Sequence, residues 1–288
     1  MGVRKVPFFA GAEWLLASFT LLRRSPFGLG LLGLIYGLLS VAGTLLAQAM
    51  PDLMAATQGA LMLVGPLLIA GMIYAAREVD QGRSAAPMHL LRGLQEGKAG
   101  RLIGTLLPQL AALVVCAALL YVMVGPEQIK KIMSLMQTLQ ANPQATPDPA
   151  MVAGFPLGRV LLWLLIVIGV GIVAGFFTFT AVPDMMFADV GLFDSMRRSF
   201  HACSSNLGAL IVFFLLMFLA LLALSVGINV VAMIAALIAG DQAMTVVATL
   251  LMSAIFMPVF SAVMYFAWKQ MLGDEPAAPA APVAGIEV

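Results

Sequence analysis

The sequence predicts an all-α fold, a polytopic membrane helical bundle of six transmembrane helices in three repeated hairpins with amphipathic interfacial helices. Three observations predict it. Hydrophobic residues make up 62% of the 288 and charged residues only 10%, where soluble domains are about a quarter charged. Six stretches carry no charge at all and are long enough to cross hydrocarbon. An arginine motif also recurs ahead of such stretches: LLRRS at 21–25 and SMRRS at 195–199 superpose without a gap, and MHLLRG at 88–93 is a fainter copy. The underlying physics is strict. Hydrocarbon offers the backbone no water, so each crossing must be helical and charges are excluded from its centre.

Met1 to Pro7 carries Arg4 and Lys5 and reads as a short flexible lead. Phe8 to Leu22 is apolar but too short to cross, since a span needs about 20 residues. Glu13 interrupts it, and Arg23-Arg24 stand where a signal peptide would have its small-residue cleavage site. Trp14, Leu15, Phe19 and Leu22 share one helical face, which places this segment at the inner membrane interface. Pro26 suits the first turn of the next helix, where its missing N–H is harmless.

The spans follow as 27–49, 59–76, 102–124, 160–182, 207–235 and 243–267. Met50-Pro51-Asp52 ends the first, Pro66 is expected to kink the second, and Pro108 lies early in the third. The Gly125 to Gly158 loop opens with a predicted amphipathic helix, 127–140, with Ile129, Ile132, Met133, Met136 and Leu139 at helical spacing. It continues into NPQATPDP at 142–149, which cannot be helical throughout. Pro183-Asp184 is expected to break the fourth span. The whole of 1–272 reads as a single integral membrane domain, and the Ala- and Pro-rich tail 273–288 as disordered.

Placing the amino terminus inside puts twelve basic residues on that side, from Arg4 to Lys269, against Lys130, Lys131 and Arg159 on the other. Cytoplasmic excess of Lys and Arg is the expected bias, so both termini are expected to be cytoplasmic.

The candidate functional residues are Arg23, Arg24, Arg92, Arg197 and Arg198. Arginines at inner span ends anchor the helices, and the same side chains are placed to meet anionic lipid headgroups. Glu78, Asp80, Asp184, Asp189 and Asp194 cluster at the same boundary and are expected to pair with nearby arginines. No ionisable residue lies deep in a span, Asn229 being the most polar there, which weighs against an ion-coupled pump. Gly28-Leu29-Gly30-Leu31-Leu32-Gly33 matches a dinucleotide fingerprint but lacks the preceding strand, so no cofactor is expected. Gly33-x-x-x-Gly37 and Gly171-x-x-x-Gly175 instead have the spacing that lets helices approach closely.

His89 and His201 lack companions at metal-ligand spacing. HExxH, GxSxG, P-loop and CxxC motifs are absent, so neither a metal site nor catalysis is expected. Cys116 and Cys203 read as small buried hydrophobes. The near-neutral net charge of +1 gives no sign of a nucleic-acid partner.

Gly65-Pro66-Leu67 through Gly71, the run AAREVDQG at 75–82, and Pro183-Asp184 followed by DSMRRSF at 194–200 resemble an uncharacterised family of multispanning inner-membrane proteins of Gram-negative bacteria. More distantly the chain is similar to YciC-type proteins and to the membrane domain fused to some bacterial glycerophosphodiester phosphodiesterases. The resemblance implies an inner-membrane location and six spans, and it brings no catalytic residues. The expected function is non-catalytic: engagement of anionic lipids or a membrane partner in envelope homeostasis. The alternatives are a facilitator or transporter of an apolar or lipid-like substrate, or a subunit of a larger complex or homo-oligomer.

Overall fold

A computed structural model describes residues 2–141 and 156–273, and every regular element among them is helical. Contacts group the chain into two compact units, one formed by residues up to Thr105 together with those from Phe177 onward, the other by Leu106–Phe176.

The first unit is built around the last long helix. Helix α1 (Ala10–Arg24) leads through Ser25 into α2 (Pro26–Ala49), with Pro26 at the start of the helix. A 3-10 turn (Pro51–Leu53) reverses the chain into α3 (Met54–Asp80). A second 3-10 turn (Pro87–Leu91), then α4 (Arg92–Gln95) and α5 (Ala99–Gly104), close this half. After the second unit the chain returns as α9 (Ala181–Phe187), α10 (Leu192–Ser205), α11 (Leu207–Ala239) and α12 (Asp241–Met271). Helix α12 packs against α2, α11, α1 and α3. Its partners surround it, and both ends of the described chain, at Arg4 and Gly273, lie at its carboxy-terminal end.

Two close crossings hold α12 and α11 in place. A Cβ added at Gly33 would stand 2.9 Å from both Ala254 Cα and Pro258 Cδ, and closer still to Ser253 O. One added at Gly11 would stand 2.6 Å from Phe213 N, and closer still to Ala209 O. Small residues here let backbones meet, and the resulting dispersion contacts bind helices that gain nothing from hydrophobic exclusion in lipid. Gly37 meets Ser253 in the same way. At Gly171 and Gly175, by contrast, an added Cβ would meet nothing within 4 Å among the described residues.

Helix α1 differs from a freely lying interfacial helix. Trp14 is fully buried, Leu15 and Leu21 nearly so, because α1 fits against α11 and α12. Its apolar stripe is therefore consumed by protein, while Leu16 faces outward. The expected flexible lead is also pinned. Arg4 N donates to Met271 O at 3.0 Å, Val6 N to Asn206 Oδ1 at 2.8 Å, and the Arg4 guanidinium to the carbonyls of Lys269 and Gly273.

Proline sets two helix breaks. The fourth span is interrupted at Phe179-Thr180, ahead of the expected break at Pro183-Asp184. The ring of Pro183 conflicts with the carbonyl four residues earlier, so the chain turns at that carbonyl and resumes as α9. The freed N–H of Thr180 donates to Ser199 Oγ at 3.0 Å. Pro108 acts likewise, separating α5 from the following helix at Thr105-Leu106.

The second unit contains α6 (Leu107–Val124), α7 (Pro126–Ala141) and nearly all of α8 (Leu157–Thr178). Gly125, at φ +86°, ends α6, a conformation that only glycine adopts without strain. The α7 helix confirms the expected amphipathic segment as helical, with Met133 and Met136 exposed. Trp163 Nε1 donates to Cys116 O at 2.9 Å, tying α8 to α6. The turn-rich loop at 142–149 and the tail beyond Gly273 lie outside the described residues.

Candidate functional site

The arginines singled out by sequence separate into three kinds of environment. Arg23 and Arg24 end α1, and Arg197 projects from the middle of α10. All three are exposed, and no ion pair or hydrogen bond holds them among the described residues. Arg92 is engaged on both faces: it pairs with Glu96 at 2.9 Å, and its guanidinium lies 4.9 Å from the centroid of Tyr74. Arg198 turns inward to Asp184. The repeated RRS motif thus places its arginines differently, at a helix end in one copy and mid-helix in the other.

Asp184 sits at the centre of a buried polar nest. It is completely buried, with Trp268 Nε1 donating to its Oδ1 at 3.0 Å and Arg198 Nη2 3.4 Å from the same oxygen. Ser195, Arg198 and Ser199 recur at i, i+3 and i+4 on α10 and share the face packed on α9. Asp184 Oδ2, Thr180 Oγ1, Ser195 Oγ and Arg198 Nε make no hydrogen bond to the described residues. The nest joins α9, α10 and α12 by charge, and its desolvation makes each member depend on the others.

Three of the other four acids expected to pair also find cations, and Asp194 is exposed with no ion pair among the described residues. Glu78 pairs with Arg83 at 2.5 Å, Asp189 with Arg101 at 2.9 Å, and Asp80 with Lys269 at 2.9 Å. Tyr265 donates its hydroxyl to the same Asp80 oxygen at 2.8 Å. Asp80 lies within α3, four residues beyond the expected end of the second span. The helix continues because its last-turn charges are satisfied across the bundle, with Arg77 stacked 4.6 Å from the Phe187 centroid.

His89 accepts the Ala86 N–H at 3.3 Å through Nδ1, and burial lowers its pKa, with Glu78 opposing and Arg92 adding to the shift. Cys203 is fully buried, and burial pushes its thiol up to about 12. Only the thiolate reacts appreciably. We therefore expect Cys203 in the folded protein to resist maleimide at mildly alkaline pH and to label completely on denaturation. Rapid native labelling, read by intact mass, would contradict this burial.

A second polar feature lies at the opposite end of the bundle from the termini and went unread in the sequence. Ser40, Thr44 and Gln48 on α2 face Asp241, Thr245 and Thr249 on α12 across a cleft of about 470 Å³. Both columns repeat every four residues, so each lies along one helix face. Ser253 extends the α12 column to the point where Gly33 and Gly37 close the helices together. Ser225 and Asn229 of α11 border a second, more open groove with Thr249, which lines both, and Ser253.

Six helices long and apolar enough to cross a membrane, with no strand among the described residues, define an all-α polytopic membrane protein. Compared with known proteins, the chain matches no protein-family model, no curated protein and no solved structure.

Proposed function

We propose that this is a non-catalytic bacterial inner-membrane protein that engages anionic phospholipid headgroups at the end of the bundle carrying both termini, in support of envelope homeostasis. On this reading both termini are cytoplasmic, as the distribution of Lys and Arg favours. The observation that carries the proposal is the exposure of Arg23, Arg24 and Arg197 beside apolar helices, without a carboxylate among the described residues. Arg92 and Arg198 have partners and contribute to structure first. Each free arginine near an anionic leaflet is worth about 1 kcal/mol of attraction.

The test is native mass spectrometry of the protein released from its own membranes and re-equilibrated with phosphatidylglycerol. Neutralising Arg23, Arg24 and Arg197 to glutamine together is expected to reduce phosphatidylglycerol retention by about tenfold or more. Arg92→Gln should leave retention near wild type. Undiminished retention in the triple variant, with normal insertion, would sink the proposal.

The cleft between α2 and α12 favours a second reading, a facilitator of a lipid-like substrate. Reconstituted vesicles showing no lipid movement above protein-free controls would remove that reading. A co-released protein in the mass spectrum would instead favour a subunit role.

A further inference from the structure

The chemistry of the far-end cleft goes beyond binding at the arginines, because its lining carries the opposite preference. Thr44 Oγ1 donates to Ser40 O at 3.0 Å, Thr249 Oγ1 to Thr245 O at 2.8 Å, and Thr245 Oγ1 to Asp241 O at 3.4 Å. A hydroxyl has one hydrogen, so these three oxygens face the cleft as acceptors alone. Asp241 adds a carboxylate that no cation pairs with among the described residues. Thr44, Thr245, Thr249 and Asp241 therefore offer the cleft acceptors and negative charge, and its donors are confined to the Ser40 hydroxyl and the Gln48 and Gln242 amides.

Depth matters as much as polarity. From Asp241 to Thr249 the column descends about 12 Å along α12 at the usual helical rise. Each of these hydroxyls is already satisfied as a donor within its own helix, and its remaining lone pairs are open to a donor entering from the cleft. A carboxylate in the first turn of α12 also complements that helix's dipole, but the dipole does not require the hydroxyl column beneath it. The rim is apolar: Leu45 borders the cleft and is exposed, with exposed Leu46 beside it on α2. The occupant must then be amphipathic, with a donor-rich, positively charged head inside and an apolar chain along the rim.

We propose that this cleft is a binding site for a phospholipid bearing a primary ammonium headgroup. The ammonium supplies three N–H donors and a positive charge to Asp241, Thr245 and Thr44. The amides of Gln48 and Gln242 at the mouth provide N–H groups for the phosphodiester oxygens. The acyl chains run over Leu45. A trimethylated headgroup has the charge but no donor, and a phosphoglycerol headgroup has donors but a net negative charge that Asp241 repels. The site is thus expected to rank phosphatidylethanolamine above both, the reverse of the arginine-bearing end.

Full-length protein stripped of lipid in detergent is titrated separately with phosphatidylethanolamine, phosphatidylcholine and phosphatidylglycerol, and bound lipid is counted by native mass spectrometry. Wild type is expected to retain phosphatidylethanolamine about tenfold better than phosphatidylcholine, the worth of a charge-assisted hydrogen bond. Asp241→Asn should abolish that difference without lowering phosphatidylglycerol retention. The Arg23, Arg24 and Arg197 triple variant should show the converse. Equal retention of the ethanolamine and choline lipids by wild type overturns the proposal without any variant. An unaltered preference in folded Asp241→Asn also overturns it. If that variant does not fold, the near-isosteric pair Thr245→Val with Thr249→Val decides: a several-fold weaker ethanolamine preference supports the site, and an unchanged one rejects it.

Discussion

Replacing Gly33 with alanine is expected to lower the unfolding midpoint of the protein in detergent sharply, and replacing it with valine to prevent assembly of the bundle. The cause is local. The new Cβ would fall on the backbone of Ser253 and Ala254 and on the Pro258 ring. None of these is the far end of a flexible side chain, so no rotamer change relieves the clash. Overpacking of this kind costs about 1–3 kcal/mol when the neighbours can shift. Here the neighbour is α12, the helix on which α1, α2, α3 and α11 converge, so a shift disturbs every interface it makes. Gly11→Ala is expected to act similarly by pushing α1 off α11. Gly65→Ala is the control: its Cβ meets nothing within 4 Å, and alanine favours the helix by up to about 1 kcal/mol. Exposure of Cys203 to a thiol-reactive dye on heating, in a Cys116→Ala background, reports all of them. A Gly33→Ala midpoint equal to that of Gly65→Ala would refute the close crossing.

Asp184→Ala should be nearly as damaging, by a different mechanism. It removes the acceptor of Trp268 Nε1 and the counter-charge of Arg198. Breaking a buried pair from one side costs about 3–5 kcal/mol. The Arg198 side chain keeps 23% of its exposure, which places the expectation at the lower end of that range. Changing both partners together, Asp184→Leu with Arg198→Met, should cost much less than the sum of the single changes, because no uncompensated charge is left buried. The coupling in such a cycle is expected to reach about 2 kcal/mol. Additive single and double effects would show that the two residues act independently.

Much of the architecture was legible in the sequence because membrane physics leaves few alternatives. Uncharged apolar runs marked the six long helices, and Gly33-x-x-x-Gly37 correctly marked a face where helices touch. The clustering of Glu78, Asp80, Asp184 and Asp189 with basic residues likewise foretold their ion pairs. Span ends were less legible. The uncharged run of the second span stops before Arg77, yet α3 continues to Asp80 because partners on other helices satisfy its last turn.

The candidate sites divide along the same line. The five arginines were visible as a repeated motif, but nothing in RRS distinguishes Arg197, exposed, from Arg198, turned onto Asp184 fourteen residues upstream on α9. Ser195, Arg198 and Ser199 at i, i+3 and i+4 were the available signal for that nest. The cleft had a signal as well, in the four-residue repeats Ser40-Thr44-Gln48 and Asp241-Thr245-Thr249-Ser253. Scattered hydroxyls inside an apolar run read as ordinary helix positions, since each can bond back to its own helix.

What the sequence determined by itself was the solvent and the secondary structure: a chain this apolar must enter a membrane, and a chain in a membrane must be helical there. What only the tertiary structure decided was which faces meet. Periodicity assigns a residue to a side of its own helix but not to a neighbour, and the neighbour fixes whether an arginine meets lipid or Asp184, and whether two columns of hydroxyls form a cleft or stay apart.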